Sequence, residues 1–214
     1  IDKTGERAGE LLGLGFGSIE FGSVLADDLP ALLGRLAGQR PVGSSTAIGI
    51  GLGLPPELPP AELGREWRRG LARLAEFAGV ADYFSLNLSA AANRRFLTPP
   101  LLGALDEALA ELAACRPALP MPLAVKLPAV DAVRLGPVLA AAGVDQLTVV
   151  LPDGGGLAAL SALRAAAPRW RIVAVGGIVG AADALAARAA GADGIQVHRL
   201  FLSHGPATPA LLAA

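Results

Sequence analysis

Four places in this 214-residue chain join residue types that do chemistry to positions where a ligand is held. The run Ile172-Val-Ala-Val reads as a buried strand, and Gly176 and Gly177 follow it directly. Two consecutive glycines let a chain turn sharply and bring backbone N–H groups close to an anion. They form either a phosphate cradle or only a tight turn, with Asp183 near the start of the next helix. Lys126 closes the apolar run Leu123-Ala-Val-Lys. A buried cation needs an anionic or polar partner, so Lys126 either meets a cofactor or reaches out to solvent along its stem. Asn87 closes Phe84-Ser-Leu-Asn and either faces a ligand or satisfies loop backbone. His198 and Arg199 end the last strand-like run, and Arg199 is suited to bidentate phosphate binding or to a surface ion pair. Asp2 and Lys3 form a further charged pair, functional only if a strand precedes them.

These residues depend on an alternation of short strands and longer helices. The strand candidates are Ser18–Phe21, Thr46–Ile50, Tyr83–Asn87, Leu123–Lys126, Gln146–Val150, Arg171–Val175 and Ile195–His198. Most read as apolar on both faces, as in a parallel sheet covered by helices. Helical patterns cover Arg7–Leu14, Asp28–Leu36, Pro60–Ala78, Pro100–Ala114, Val130–Ala142, Leu157–Ala167 and Ala181–Ala190. A doubly wound sheet is disfavoured: Gly49-Ile-Gly-Leu-Gly53 is glycine-rich, but Pro55-Pro56 follow where a phosphate-binding helix would begin. The alternation predicts a single (β/α)8 TIM barrel domain over residues 1–214, its first strand lying before Ile1. In such barrels the late strand–helix loops often bind phosphate.

Composition narrows the function. Hydrophobic residues make up 53%, enough for a large core and too many for a disordered chain. Net charge is −1, and nothing is built to neutralise a nucleic-acid backbone. The one cysteine excludes an internal disulfide and a cysteine-based zinc cluster, and two histidines leave little for a histidine-rich metal site. No stretch of about 18 residues is free of charge, proline and turn signals, and the polar opening Ile-Asp-Lys-Thr-Gly-Glu-Arg is unlike a signal peptide. A cytoplasmic protein without membrane association is expected.

Several motifs taken in order resemble the flavin-dependent dihydroorotate dehydrogenases, especially the quinone-using class. Asp2-Lys-Thr-Gly-Glu is similar to that family's Asp-Lys-Asn-Gly-Glu. Gly15-Phe-Gly-Ser-Ile-Glu-Phe-Gly-Ser23 is similar to its Gly-Phe-Gly-Phe/Ser-Ile/Val-Glu-Ile/Val-Gly-Thr. Ala81-Asp-Tyr-Phe-Ser-Leu-Asn-Leu-Ser89 resembles Ala-Asp-Tyr-Val-Val-Val-Asn-Val-Ser. Val125-Lys-Leu resembles Val-Lys-Ile, and Val173-Ala-Val-Gly-Gly-Ile with Gly191-Ala-Asp-Gly-Ile-Gln-Val resembles the flavin-phosphate end. The likeness spans most of the chain, although Val-Gly-Gly-Ile alone is shared by many phosphate-binding barrels. It implies an FMN-dependent oxidoreductase, in a family tied to pyrimidine biosynthesis, that passes hydride from a small-molecule substrate to flavin. It also implies cofactor contacts from Lys3, Ser23, Asn87, Lys126, Gly176, Gly177, His198 and Arg199, and a homodimer.

The departures lie where the family does its chemistry. Its loop continues Asn-Val-Ser-Ser-Pro-Asn, with the second serine as general base; here Ala90 stands at that place. The strand that ends Thr-Asn in the family ends Val149-Val-Leu-Pro, and Gly-Ile-Asn-Ile-Gly becomes Ala47-Ile-Gly-Ile-Gly, with Gly49 for asparagine. The usual Tyr-Ser/Thr after the last strand is His198-Arg199. The loops after Ser23 and after Val150 are short: either these are true deletions, or loop residues are missing from this sequence, and the second case implies a mobile lid with flavin absent or weakly bound. These changes imply a substrate other than dihydroorotate. The alternative is a non-redox barrel, a lyase, synthase or pseudoenzyme that binds a phosphorylated ligand without flavin.

Overall fold

The computed structural model describes residues 2–77, 79–119, 121–152 and 156–213. Ala78, the last residue of one expected helix, and part of the short loop after Val150 lie outside the described residues. Seven strands form one sheet: β1 (Ser18–Val24), β2 (Ala47–Leu52), β3 (Tyr83–Asn87), β4 (Leu123–Pro128), β5 (Gln146–Val150), β6 (Arg171–Val175) and β7 (Gly194–Gln196). Their spatial order is their chain order, and every neighbouring pair is parallel. Such a sheet needs a crossover at each step. The crossovers are α2 (Leu29–Leu36), α3 (Leu63–Ala75), α4 (Leu102–Cys115), α5 (Ala129–Ala141), α6 (Gly156–Ala166) and α7 (Ala181–Ala189), with α1 (Ala8–Leu12) ahead of β1.

The helices cover the outer face of a curled sheet. Phe21, Ile50, Phe84, Leu86, Val125, Leu147, Val149 and Ile172 point into this layer and are buried. Helix α3 shows the pattern: Leu63, Trp67, Leu71 and Leu74 recur at helical spacing and are buried, while Arg65, Arg68 and Arg73 face outward. Gly70 lets this helix approach β2 closely, because a Cβ there would come within 2.7 Å of Leu52.

One expectation is met in part and another is corrected. First, the sheet is a curled, seven-stranded half-barrel, with the seven strands that the sequence reading finds. Among the described residues β1 pairs only with β2 and β7 only with β6; the strand expected before Ile1 lies outside them. A seam therefore runs between β7 and β1, flanked by an edge-to-face pair of Phe16 and Phe201 with ring centroids 5.9 Å apart. At the upper end of β1, Gly22 N–H donates to Asp2 O at 3.3 Å. Second, the last strand stops at Gln196. His198 precedes α8 (Arg199–His204), and α9 (Thr208–Ala213) follows. Helix wins there because Leu200 is buried and Phe201 packs on Phe16, side chains a strand ending at His198 would not place.

A repeated clamp holds the N-terminal ends of the strands. Asp82, Asp145 and Asp193 each precede an odd-numbered strand. Each accepts a backbone N–H from the first two residues of the strand before it: Ile48 at 2.7 Å, Leu123 at 2.8 Å and Ile172 at 2.8 Å. Each also pairs with an arginine, respectively Arg40, Arg116 and Arg164. Burial pushes the Asp193 carboxyl up, but the Ile172 N–H and Arg164 outweigh it and hold the group below its ordinary 3.8. A depressed folded-state value means stability that is present above the unfolded value and lost as pH falls through the folded one. Asp193→Asn is therefore expected to flatten the acid side of a stability-against-pH curve below about pH 4, the unperturbed aspartate range. Asp193→Ala, which strands the Ile172 N–H, is expected to cost about 1–3 kcal/mol at neutral pH. Urea unfolding across pH 3–7 reads both.

Candidate functional site

Alternation along the strands sends every second residue into the bore. The register sets Glu20 beside Gly49 and Gly49 beside Tyr83, then Asn87 beside Lys126, Lys126 beside Thr148, and Val175 beside Gln196. The expectation of strands apolar on both faces is thus corrected: the outer face is apolar, and the inner face is largely polar. A cavity of about 900 Å3 follows this inner face. Ser23, Asn87, Lys126, Gln196 and His198 line it towards the C-terminal ends of the strands, and Tyr83, Gln146 and Arg171 towards the N-terminal ends. Gly49 is kept small by its neighbour: a Cβ there would lie 2.0 Å from a carbon of the Tyr83 ring. Tyr83 hydrogen-bonds with Ser18 and Glu20, and burial pushes its phenol up, with Glu20 adding to the effect.

Asn87 is the hub of the mouth. Its Nδ2 donates to Ser23 Oγ at 3.0 Å, while its Oδ1 accepts from Ser89 N at 3.0 Å and from Ser89 Oγ at 2.7 Å. Asn93 Nδ2 donates to the Asn87 carbonyl at 2.6 Å. One amide thereby fixes the end of β1 and the whole loop after β3. Ser89 is turned back onto Asn87. Ala90 opens a turn, its carbonyl accepting from Asn93 N and Arg94 N, and its methyl has no proton to exchange.

Lys126 does not end its strand, since β4 continues to Pro128. Its Nζ crosses the bore and donates to Gln196 Oε1 at 2.8 Å. Burial pushes its ammonium down, and the Glu20 carboxylate opposes this. Burial likewise lowers His198, assisted by the nearby Lys126 and Arg199 cations.

Lys3, Gly176, Gly177 and Arg199 fall outside the cavity lining, whereas Asp2 belongs to it. Gly176 and Gly177 follow β6 with φ of +99° and +69°, backbone that side chains rarely adopt. Gly176 packs against the Leu151 carbonyl, 3.0 Å from where a Cβ would stand, whereas the space beside Gly177 is open. Lys3 and Arg199 are exposed. Asp2 is half-buried and spends its carboxylate on its own loop, accepting N–H bonds from Thr4, Gly5 and Arg7. Glu20 and Gln196, which flank Lys126, escape a sequence reading centred on strand ends. The signal that finds them is the two-residue period Ser18, Glu20, Gly22 and Gly194, Gln196.

Two solved structures share this architecture. The structure of DHODH (dihydroorotate dehydrogenase) from Eimeria tenella in complex with ferulenol superposes with a TM-score of 0.73, covering 99% of this chain and 77% of that one at 18% identity. The ligand-free type of DHODH from the same organism gives a TM-score of 0.70 over 99% and 80%, at 19% identity. The fold is DHODH-like. No family model matches the sequence, and no curated protein matches it. Among the described residues no helix is long and apolar enough to cross a membrane.

The residues at the mouth fit FMN in kind. A turn with two positive-φ glycines, one of them open on its Cβ side, ends β6 beside β7. Next to it, Lys126, Asn87 and Ser23 present a cation, an amide and a hydroxyl to one cavity.

Proposed function

We propose that this chain is an FMN-dependent oxidoreductase of DHODH-like fold acting on a substrate other than dihydroorotate. The observation that carries the reading is the shared cavity of Ser23, Asn87 and Lys126 at the strand ends, combined with an alanine at the place of the family's base. Flavin, when bound, supplies a hydride acceptor. The protein's residues would orient it: Lys126 by charge, Asn87 and Ser23 by hydrogen bonding, and Gly176, Gly177 and Arg199 at the phosphate. With Ala90 unable to take a proton and the Ser89 hydroxyl engaged by Asn87, nothing on this loop activates a substrate C–H bond in the family's manner.

Incubation with FMN followed by gel filtration is expected to leave a flavin spectrum at one equivalent per chain. A featureless spectrum would remove the flavin part of the reading. With flavin retained, dihydroorotate and a quinone acceptor are expected to give no orotate above background. Orotate formation would overturn the altered substrate.

A further inference from the structure

Lysine is nearly absent from this protein. Of 18 basic residues only Lys3 and Lys126 are lysines, and the rest are arginine. Arginine stays charged at any ordinary pH, whereas a lysine amine can lose its proton and attack carbon. Lys3 is exposed, whereas Lys126 is the lysine that lines the bore.

Its surroundings suit a nucleophile. Among the described residues its one side-chain hydrogen-bond partner is the neutral Gln196 amide. Its neighbours in register are Asn87 and Thr148, an amide and a hydroxyl that can donate to an oxygen beside the amine. The cavity leaves room for a small molecule against Nζ. Burial favours the neutral amine over the ammonium. Gln196 leads within three residues to the exposed Arg199, whose guanidinium offers positive charge to an anionic group on such a molecule.

We infer that Lys126 is an amine nucleophile that captures a small aldehyde or ketone bearing an acidic group, forming an imine in the bore. The neutral amine's lone pair attacks the carbonyl carbon, and a C–N bond forms as the C=O π pair moves to oxygen, which takes up a proton while the nitrogen gives one to solvent. The carbinolamine hydroxyl then takes a second proton from solvent and leaves as water as the nitrogen lone pair forms C=N, and the nitrogen releases its remaining proton to solvent. No oxidant or reductant takes part. This goes beyond the flavin reading and competes with it, because both use the same amine.

The test is borohydride trapping of the flavin-free protein with glyceraldehyde 3-phosphate, read by intact mass and peptide mapping. One reduced adduct is expected on Lys126, retained in Lys3→Arg and lost in Lys126→Arg. Peptide mapping of the unaltered protein keeps the result readable if Lys126→Arg fails to fold. Unphosphorylated glyceraldehyde is expected to need at least about tenfold more reagent for equal labelling, a difference of about 1.4 kcal/mol. Absence of an adduct, or equal labelling of Lys3 and Lys126, would overturn the proposal; equal labelling by both aldehydes would overturn the acidic-group requirement. FMN is expected to protect Lys126. An adduct that forms equally with FMN present supports the imine and counts against flavin at this site, so the two readings fail separately.

Discussion

Alanine at Gly22 is expected to unfold this protein or to lower its stability by about 3 kcal/mol or more, the range in which steric and backbone strain act together. Gly22 lies in β1 with φ of +127°, a conformation costly for any residue with a Cβ. That Cβ would stand 2.4 Å from the carbonyl oxygen of Gly51 and 3.2 Å from its carbonyl carbon. Both are backbone atoms of the neighbouring strand, so no rotamer change relieves the contact. The register shift between Gly22 and Val24 shows where β1 bends against β2. The bend delivers Ser23 to Asn87, and the Gly22 N–H points the other way, to Asp2. The strain therefore reaches the mouth of the bore as well as the sheet. Gly34→Ala is the control: Gly34 is inside α2, and a Cβ there meets nothing within 4 Å. It is expected to stabilise by up to about 1 kcal/mol through helix propensity. Equilibrium urea unfolding of the two variants checks the pair, and a mild Gly22→Ala would mean that β1 and β2 can separate without loss of the fold.

The elements were legible because local signals and tertiary demands agree along most of the chain. β3, β5 and β6 begin and end where the sequence places them, since each is a buried run bounded by turn residues. The alternation of strand and helix leaves little choice but a parallel sheet in chain order. The site was legible in part. Asn87 and Lys126 stand out as polar residues in apolar runs, and they do share one cavity. Glu20, Tyr83 and Gln196 are equally central but were hidden, because flanking residues on the outer face made the strands read as uniformly apolar. The three aspartate clamps were invisible for another reason: Arg116 and Asp145, like Arg164 and Asp193, are 29 residues apart, and only the closed crossover brings them together. The end of the chain was misread because a strand signal and a helix start overlap at His198, and the contact of Phe201 with Phe16 decides between them.

Asn87 separates what holds the mouth together from what binds there. Asn87→Ala removes three side-chain hydrogen bonds, to Ser23 Oγ, Ser89 N and Ser89 Oγ. At about 1 kcal/mol for a typical bond, it is expected to cost about 2–3 kcal/mol of stability. Asn87→Asp keeps the acceptor for Ser89, and the Ser23 hydroxyl can rotate to donate where it formerly accepted. Its expected stability loss is below about 1 kcal/mol, within the span of a single such bond. Its effect on binding runs the other way. Asn87 and Lys126 are register partners in the bore, so the new carboxylate stands beside the Lys126 cation, neutralises its field and repels an anionic ligand. FMN affinity is expected to fall by at least about tenfold in Asn87→Asp, equivalent to about 1.4 kcal/mol. In Asn87→Ala it is expected to fall less relative to the damage to folding. Thermal unfolding and FMN titration of both variants give four numbers. The reading holds if the alanine variant is the less stable and the aspartate variant the weaker binder; if both measurements rank the variants alike, Asn87 serves the fold alone.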